Sequence, residues 1–154
     1  MPLVPKTIKL KKYLDVIIEK TAHETITPGM LLALNADDEV AVHAALGQEV
    51  VPVLFALEDE LQGKEIDDTY ASGQPVQVWV AQRGEVVFAL LSTDQDVHIG
   101  DPLKSHGDGY LELYHLTDSD ATGHQNSIVG IALEAIDTSG SPESAVSRIR
   151  VMVA

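Results

Sequence analysis

The side chains able to do chemistry are plentiful but poorly arranged for it. Six histidines, His23, His43, His98, His106, His115 and His124, are scattered along the chain. His23-Glu24 opens like a zinc-protease helix, but Thr27 stands where the second ligand belongs, and the site cannot close without it. Surface or turn histidines are the better expectation. Asp118-Ser119-Asp120-Ala121-Thr122-Gly123 begins like a calcium loop, with Val129 where the bidentate Glu is required, so a plain polar loop is expected. Ser139-Gly140-Ser141 lies between Thr138 and Pro142, which suits a turn rather than a nucleophile elbow. Close acids such as Glu58-Asp59-Glu60 and Asp67-Asp68 suit a solvated loop better than a paired-acid hydrolase. With no cysteine there is no thiolate nucleophile and no thiolate metal site. The expectation is a protein that is not an enzyme, with no catalytic residues, metal or cofactor.

The totals agree with a structural role. A chain of 154 residues is the size of one domain with one sizeable core. Ten Lys and Arg stand against 24 Asp and Glu, a net charge of −14, which disfavours any broad grip on nucleic acid phosphates. No apolar run approaches the roughly 18 residues of a membrane span, and the Lys-rich start lacks the apolar stretch of a signal peptide. A cytoplasmic product that begins where the sequence begins is expected. The charge is unevenly placed: residues 1–20 carry a net of +3 and residues 21–154 a net of −17. A basic N-terminal arm over 1–20 and a single β-rich domain over 21–154 follow as the expected organisation.

Beyond Pro28-Gly29, turn formers recur between short runs of Val, Ile and Leu, the signature of strands. The pattern predicts strands near 30–35, 39–45, 50–57, 76–82, 85–91, 110–115, 128–136 and 147–153, with a single helical turn around Asp67–Ser72. Val76, Val78 and Val80 share one face and Trp79 points to the other. Val86–Leu91 is apolar at every position, as in a strand covered on both sides, and Arg83-Gly84 before it predicts a hairpin pairing it with 76–82. In Ser147–Val153, Ile149, Val151 and Val153 oppose Arg148 and Arg150, which predicts one solvated or salt-bridged face. The fold class is therefore all-β, a compact barrel or sandwich, entered by an extended arm that becomes a strand near Tyr13–Glu19.

The residues that could make contacts are few. Trp79 is either covered by the second layer of a sandwich or an anchor at a protein interface. Gly130 and Ala132 lie on the small-residue face of 128–136, which another backbone or a partner could approach closely. Lys6, Lys9, Lys11, Lys12 and Tyr13 belong to a leader whose Leu10, Leu14, Val16, Ile17 and Ile18 are too apolar for a purely solvated tail. It is expected to dock, on the acidic body or on a partner.

Four stretches carry a resemblance: Ile26-Thr27-Pro28-Gly29-Met30, Phe55–Lys64 running into Ile66–Gly73, Gly100–Leu111, and Ile128–Ile136. In this order they resemble the head decoration, or cement, proteins of tailed bacteriophages, over nearly the whole chain from Tyr13 onward. The resemblance implies a β-barrel-like body on the outer surface of a mature head, bridging major capsid protein subunits, often as a homotrimer. A virion protein with the major capsid protein as partner is the resulting expectation. The competing reading is a β-sandwich that binds carbohydrate or a host surface through Trp79 and the acidic loops.

Overall fold

The computed structural model describes residues 4–44, 50–115, 127–140 and 147–154. These residues form thirteen strands and one 3-10 turn, with no α-helix among them. In chain order the strands are β1 (Lys9–Lys11), β2 (Ile17–Ala22), β3 (Leu31–Leu34), β4 (Glu39–Val42), β5 (Leu54–Ala56), β6 (Pro75–Val80) and β7 (Val86–Leu91). The remainder are β8 (Asp96–Val97), β9 (Pro102–Ser105), β10 (Leu111–Leu113), β11 (Ile128–Ala132), β12 (Ile136–Asp137) and β13 (Ser147–Val153). Among the described residues no helix is long and apolar enough to cross a membrane.

Two hydrogen-bonded circuits account for nearly all of them. The first is a closed barrel in the order β2-β4-β3-β5-β6, with β6 pairing back onto β2. All its pairings are antiparallel except β2 with β4. The second runs β1-β7-β10-β9-β11-β13, and β13 pairs with β7 along its whole length, which closes five of the six strands on themselves. The compact all-β barrel architecture is therefore present twice in one chain. Closure removes most free strand edges.

Local sequence explains two of the corners. Asn35 Oδ1 accepts hydrogen bonds from Asp37 N and Glu39 N, both at 3.0 Å, an Asx-type turn that reverses β3 into β4. At Gln82–Glu85 the Glu85 N–H donates to the Gln82 carbonyl at 3.1 Å, and Gly84 supplies φ +86. The expected tight turn exists, yet the expected pairing of 76–82 with 85–91 does not. Strand β6 pairs with β2 and β5, whereas β7 pairs with β1, β10 and β13. The turn carries the chain between circuits, where Gly84 N and Val153 N exchange hydrogen bonds with Val153 O and Glu85 O.

Burial follows the alternation. Val76 and Val78 are fully buried in the core cluster that includes Leu32, Val40 and Leu54, the barrel's own filling. Leu31, Phe55 and Trp79 lie opposite one another on β3, β5 and β6 and join a second cluster with Ile8, Val87, Phe88 and Leu91. That cluster spans residues of both circuits. All six residues of β7 are buried, as its unbroken apolar run requires. On β13, Ile149 and Val151 are fully buried, while Arg148 donates to the carbonyls of Pro28 and Ile66 at 2.8 and 2.7 Å and pairs with Asp67 at 3.2 Å. Arg150 stands 3.9 Å from Glu134, so the charged face is salt-bridged.

Three further expectations need correction. The helical turn lies at Glu60–Gln62, not at Asp67–Ser72, where Tyr70 instead bridges to Ile26. The stretch 128–136 is two strands with different partners, β11 with β9 and β13, and β12 with β8. Finally, the boundary expected at residue 20 falls inside β2. Residues 4–7 have no regular structure, but Ile8 is fully buried and its N–H donates to the buried Glu58 carboxylate at 3.1 Å. From Ile8 onward the leader is part of the body.

Candidate functional surface

The candidate contact residues separate into a buried and an exposed set. Trp79 has no exposed surface and sits directly opposite Phe55. The second layer covers it, which removes it from the interface candidates and takes the aromatic anchor from the carbohydrate reading. Ala132 is also fully buried. At Gly130 a Cβ would overlap the Met152 carbonyl and a Val151 methyl. The backbone that approaches this small face is therefore the chain's own β13, and neither residue can meet a partner. A register irregularity against β9 between Ile128 and Gly130 shifts the phase of alternation, so Val129, Gly130 and Ala132 all face inward. Bulges do this by inserting one unpaired residue.

The leader residues are at the surface and mostly occupied by their own chain. Val4, Pro5 and Lys6 face Glu58, Glu60, Glu65 and Asp67 across a hollow of about 340 Å³. Lys9 and Lys12 both bind Asp15, at 2.8 and 2.6 Å. Hydrogen bonding from Lys12 first, and from Lys9 second, holds the Asp15 carboxyl below the usual range, and Asp15 in turn raises Lys12. Lys20 pairs with Asp38. Lys11 instead lies 5.5 Å from the centroid of the Tyr13 ring, a cation–π contact, and has no carboxylate partner among the described residues. Lys9, Lys12 and Lys20 are thus neutralised locally, whereas Lys6, Lys11 and Tyr13 are exposed without an ion pair among the described residues.

The sequence reading missed how much apolar surface accompanies them. Tyr13, Leu14, Val16 and Ile17 are 65%, 58%, 41% and 40% exposed, and Leu61 at the 3-10 turn is 90% exposed. Ile17 and Leu61 line one small hollow with Lys9, Asp59 and Glu60. Its far side is a larger hollow of about 370 Å³ lined by Glu19, Asp59, Leu61, Asp68, Tyr70 and Pro75, among others. Burial pushes the Tyr70 hydroxyl up to about 12; it donates to the Leu57 carbonyl at 2.6 Å. A lone Leu amid Glu58-Asp59-Glu60 and Gln62 was the available signal. Isolated exposed apolar residues are ordinary, whereas several along one segment make that segment a candidate contact surface.

The histidines divide. His43 is buried, its Nδ1 2.7 Å from Ser105 Oγ, which corrects its expected surface position. His106 Nδ1 lies 3.0 Å from Asp108, and His23, raised by its hydrogen bond to Glu39 at 2.8 Å, is exposed. The calcium-like stretch Asp118–Gly123 and His124 lie outside the described residues. Among the described residues no group of three His, Asp or Glu side chains is placed to hold a metal ion.

Comparison with known proteins places this geometry. No family model matches the sequence, and no curated protein matches it. Among solved structures, the fold is similar to the N base of the head fiber protein gp8.5 of bacteriophage phi29. The TM-score is 0.56 at 16% identity, over 92% of this chain and 95% of that one. The two chains share a fold over nearly their whole lengths.

Proposed function

We infer that this chain is a non-enzymatic structural protein of a tailed-phage virion, attached to the outside of the mature head. The observation that carries the reading is the fold shared end to end with the base of a phage head fiber. Within that role we assign it as a decoration or cement protein that bridges major capsid protein subunits, as a homotrimer made in the host cytoplasm. The exposed Tyr13–Ile17 and Leu61 strip supports a protein that works through contacts. Such a protein needs no active site. By binding the expanded shell better than free subunits it stabilises the shell by RT ln(1 + [L]/Kd), about 2.7 kcal/mol per site at a hundredfold excess over Kd. Several weak contacts engaged together raise its hold further through effective concentration.

The test is rebinding. Heads purified from the chain's own source and stripped of outer proteins are mixed with the isolated chain and sedimented. Saturable co-sedimentation, with a rise in the temperature at which the heads release DNA, is expected. Absence of binding to stripped heads would refute the assignment.

A further inference from the structure

We propose that copies of this chain contact one another by a knob and socket. The knob is Lys11, Tyr13 and Leu14 on the β1–β2 connection, and the socket is the acidic hollow beside Leu61 on the next copy. The proposal rests on the head-surface reading only in that it names the contact behind the homo-oligomer, which is measured on the isolated chain. Two features of the surface support it. The knob combines a cation and apolar surface with no partner of its own: Lys11 is stacked on Tyr13, and Tyr13 and Leu14 are 65% and 58% exposed. The hollow has the opposite character. Glu19, Asp59 and Asp68 outnumber its single cation Lys64, and Leu61 and Pro75 provide apolar walls.

Knob and socket are different patches of one surface, so the contact is heterologous. A heterologous contact closes into a ring when its rotation permits, which suits a trimer. Aromatic side chains bury large areas at low entropic cost, and an ammonium entering a hollow with surplus carboxylates suppresses wrong partners and fixes register. Strand addition cannot substitute for this contact within the two circuits, because both are closed and the outer edge of β1 is short and carries Lys9 and Lys11, residues that blunt edge pairing.

The experiment is sedimentation equilibrium on the isolated chain and four variants: Tyr13→Ser, Lys11→Glu, Glu19→Lys, and Lys11→Glu with Glu19→Lys. All three positions are exposed, and circular dichroism verifies that each variant is folded. The wild type is expected to self-associate. Each single change is expected to weaken association roughly tenfold or more, and the double reversal to recover most of the loss. A wild type that stays monomeric, single variants that associate as tightly as the wild type, or a double reversal no better than its parents would each overturn the contact. A chain that binds heads as a monomer would fail this proposal and leave the head-surface reading standing; an oligomer that ignores heads would do the reverse.

Discussion

Strand β7, Val86–Leu91, and the connection Tyr13–Ile17 are both apolar at nearly every position, and the chain treats them oppositely. Every residue of β7 is buried, because β13 covers one edge, β1 and β10 share the other, and its side chains enter both core clusters. Every residue from Tyr13 to Ile17 is exposed, although this stretch runs directly between strands of the two circuits. Apolar composition therefore states how much surface seeks cover without stating what covers it. In β7 the cover is the chain itself; along Tyr13–Ile17 and Leu61 none is supplied among the described residues, and the proposed contact between copies would provide it.

The comparison can be broken at either end. The largest effect is predicted at the seam that β7 helps to fill: Trp79→Ala should cost about 3–5 kcal/mol, read from urea unfolding, and a loss below about 1 kcal/mol would mean that the seam is not a packed core. Next is Gly130→Val, where the added side chain meets the β13 backbone. Overpacking of this kind costs about 1–3 kcal/mol, visible as a lower melting temperature with the spectrum of the fold retained. At the other end, Leu14→Ser and Leu61→Ser should leave monomer stability within about 0.5 kcal/mol of the wild type while lowering attachment or association. Substantial unfolding would show that the strip is covered intramolecularly.

The smallest expected effect is electrostatic. The His23 pKa is raised by Glu39, and that of Glu39 is lowered by His23 and then Asn35. The favourable pairing is fully present between the ordinary carboxylate and histidine ranges, and is lost as pH rises through the raised His23 value or falls through the lowered Glu39 value. Proton NMR should show His23 titrating above its usual midpoint and returning toward it in Glu39→Gln. An unchanged midpoint in that variant would remove the pair.

The sequence made faces legible and left partners hidden. Period-two alternation in Val76–Val80 and Ile149–Val153 shows which residues point inward, since that follows from pleat geometry. It does not say which strand lies alongside, so the turn at Gln82–Glu85 fits a hairpin yet joins two circuits. Trp79 illustrates the same limit: its face was legible, but the layer covering it comes from residues such as Ile8 and Phe88, distant in sequence. Strands β8 and β9 were invisible because they are short and begin with an acid or a proline; β9 also buries Lys104, whose ammonium lies 3.3 Å from Glu112. In the leader, Ile8 is buried and Leu10 half-buried, whereas Tyr13, Leu14, Val16 and Ile17 are exposed. Ile8–Leu10 suits a strand as well as a helical face, and β1 (Lys9–Lys11) realises the strand; a short, Lys-rich edge strand leaves too little pattern to decide between them. Of the candidate contacts, Lys6, Lys11 and Tyr13 stay available, whereas Trp79, Gly130 and Ala132 are enclosed by pairings that no local pattern encodes.

The central claim is that this fold sits on the outside of a phage head and joins capsid subunits. Electron cryo-microscopy of intact particles from the chain's source tests it most directly. The account predicts outer-surface density that fits both five-strand circuits, straddles at least two major capsid protein subunits, and has its Tyr13–Leu61 strip turned toward protein. Heads with no such density, or with this fold inside the shell or on the tail alone, would contradict it.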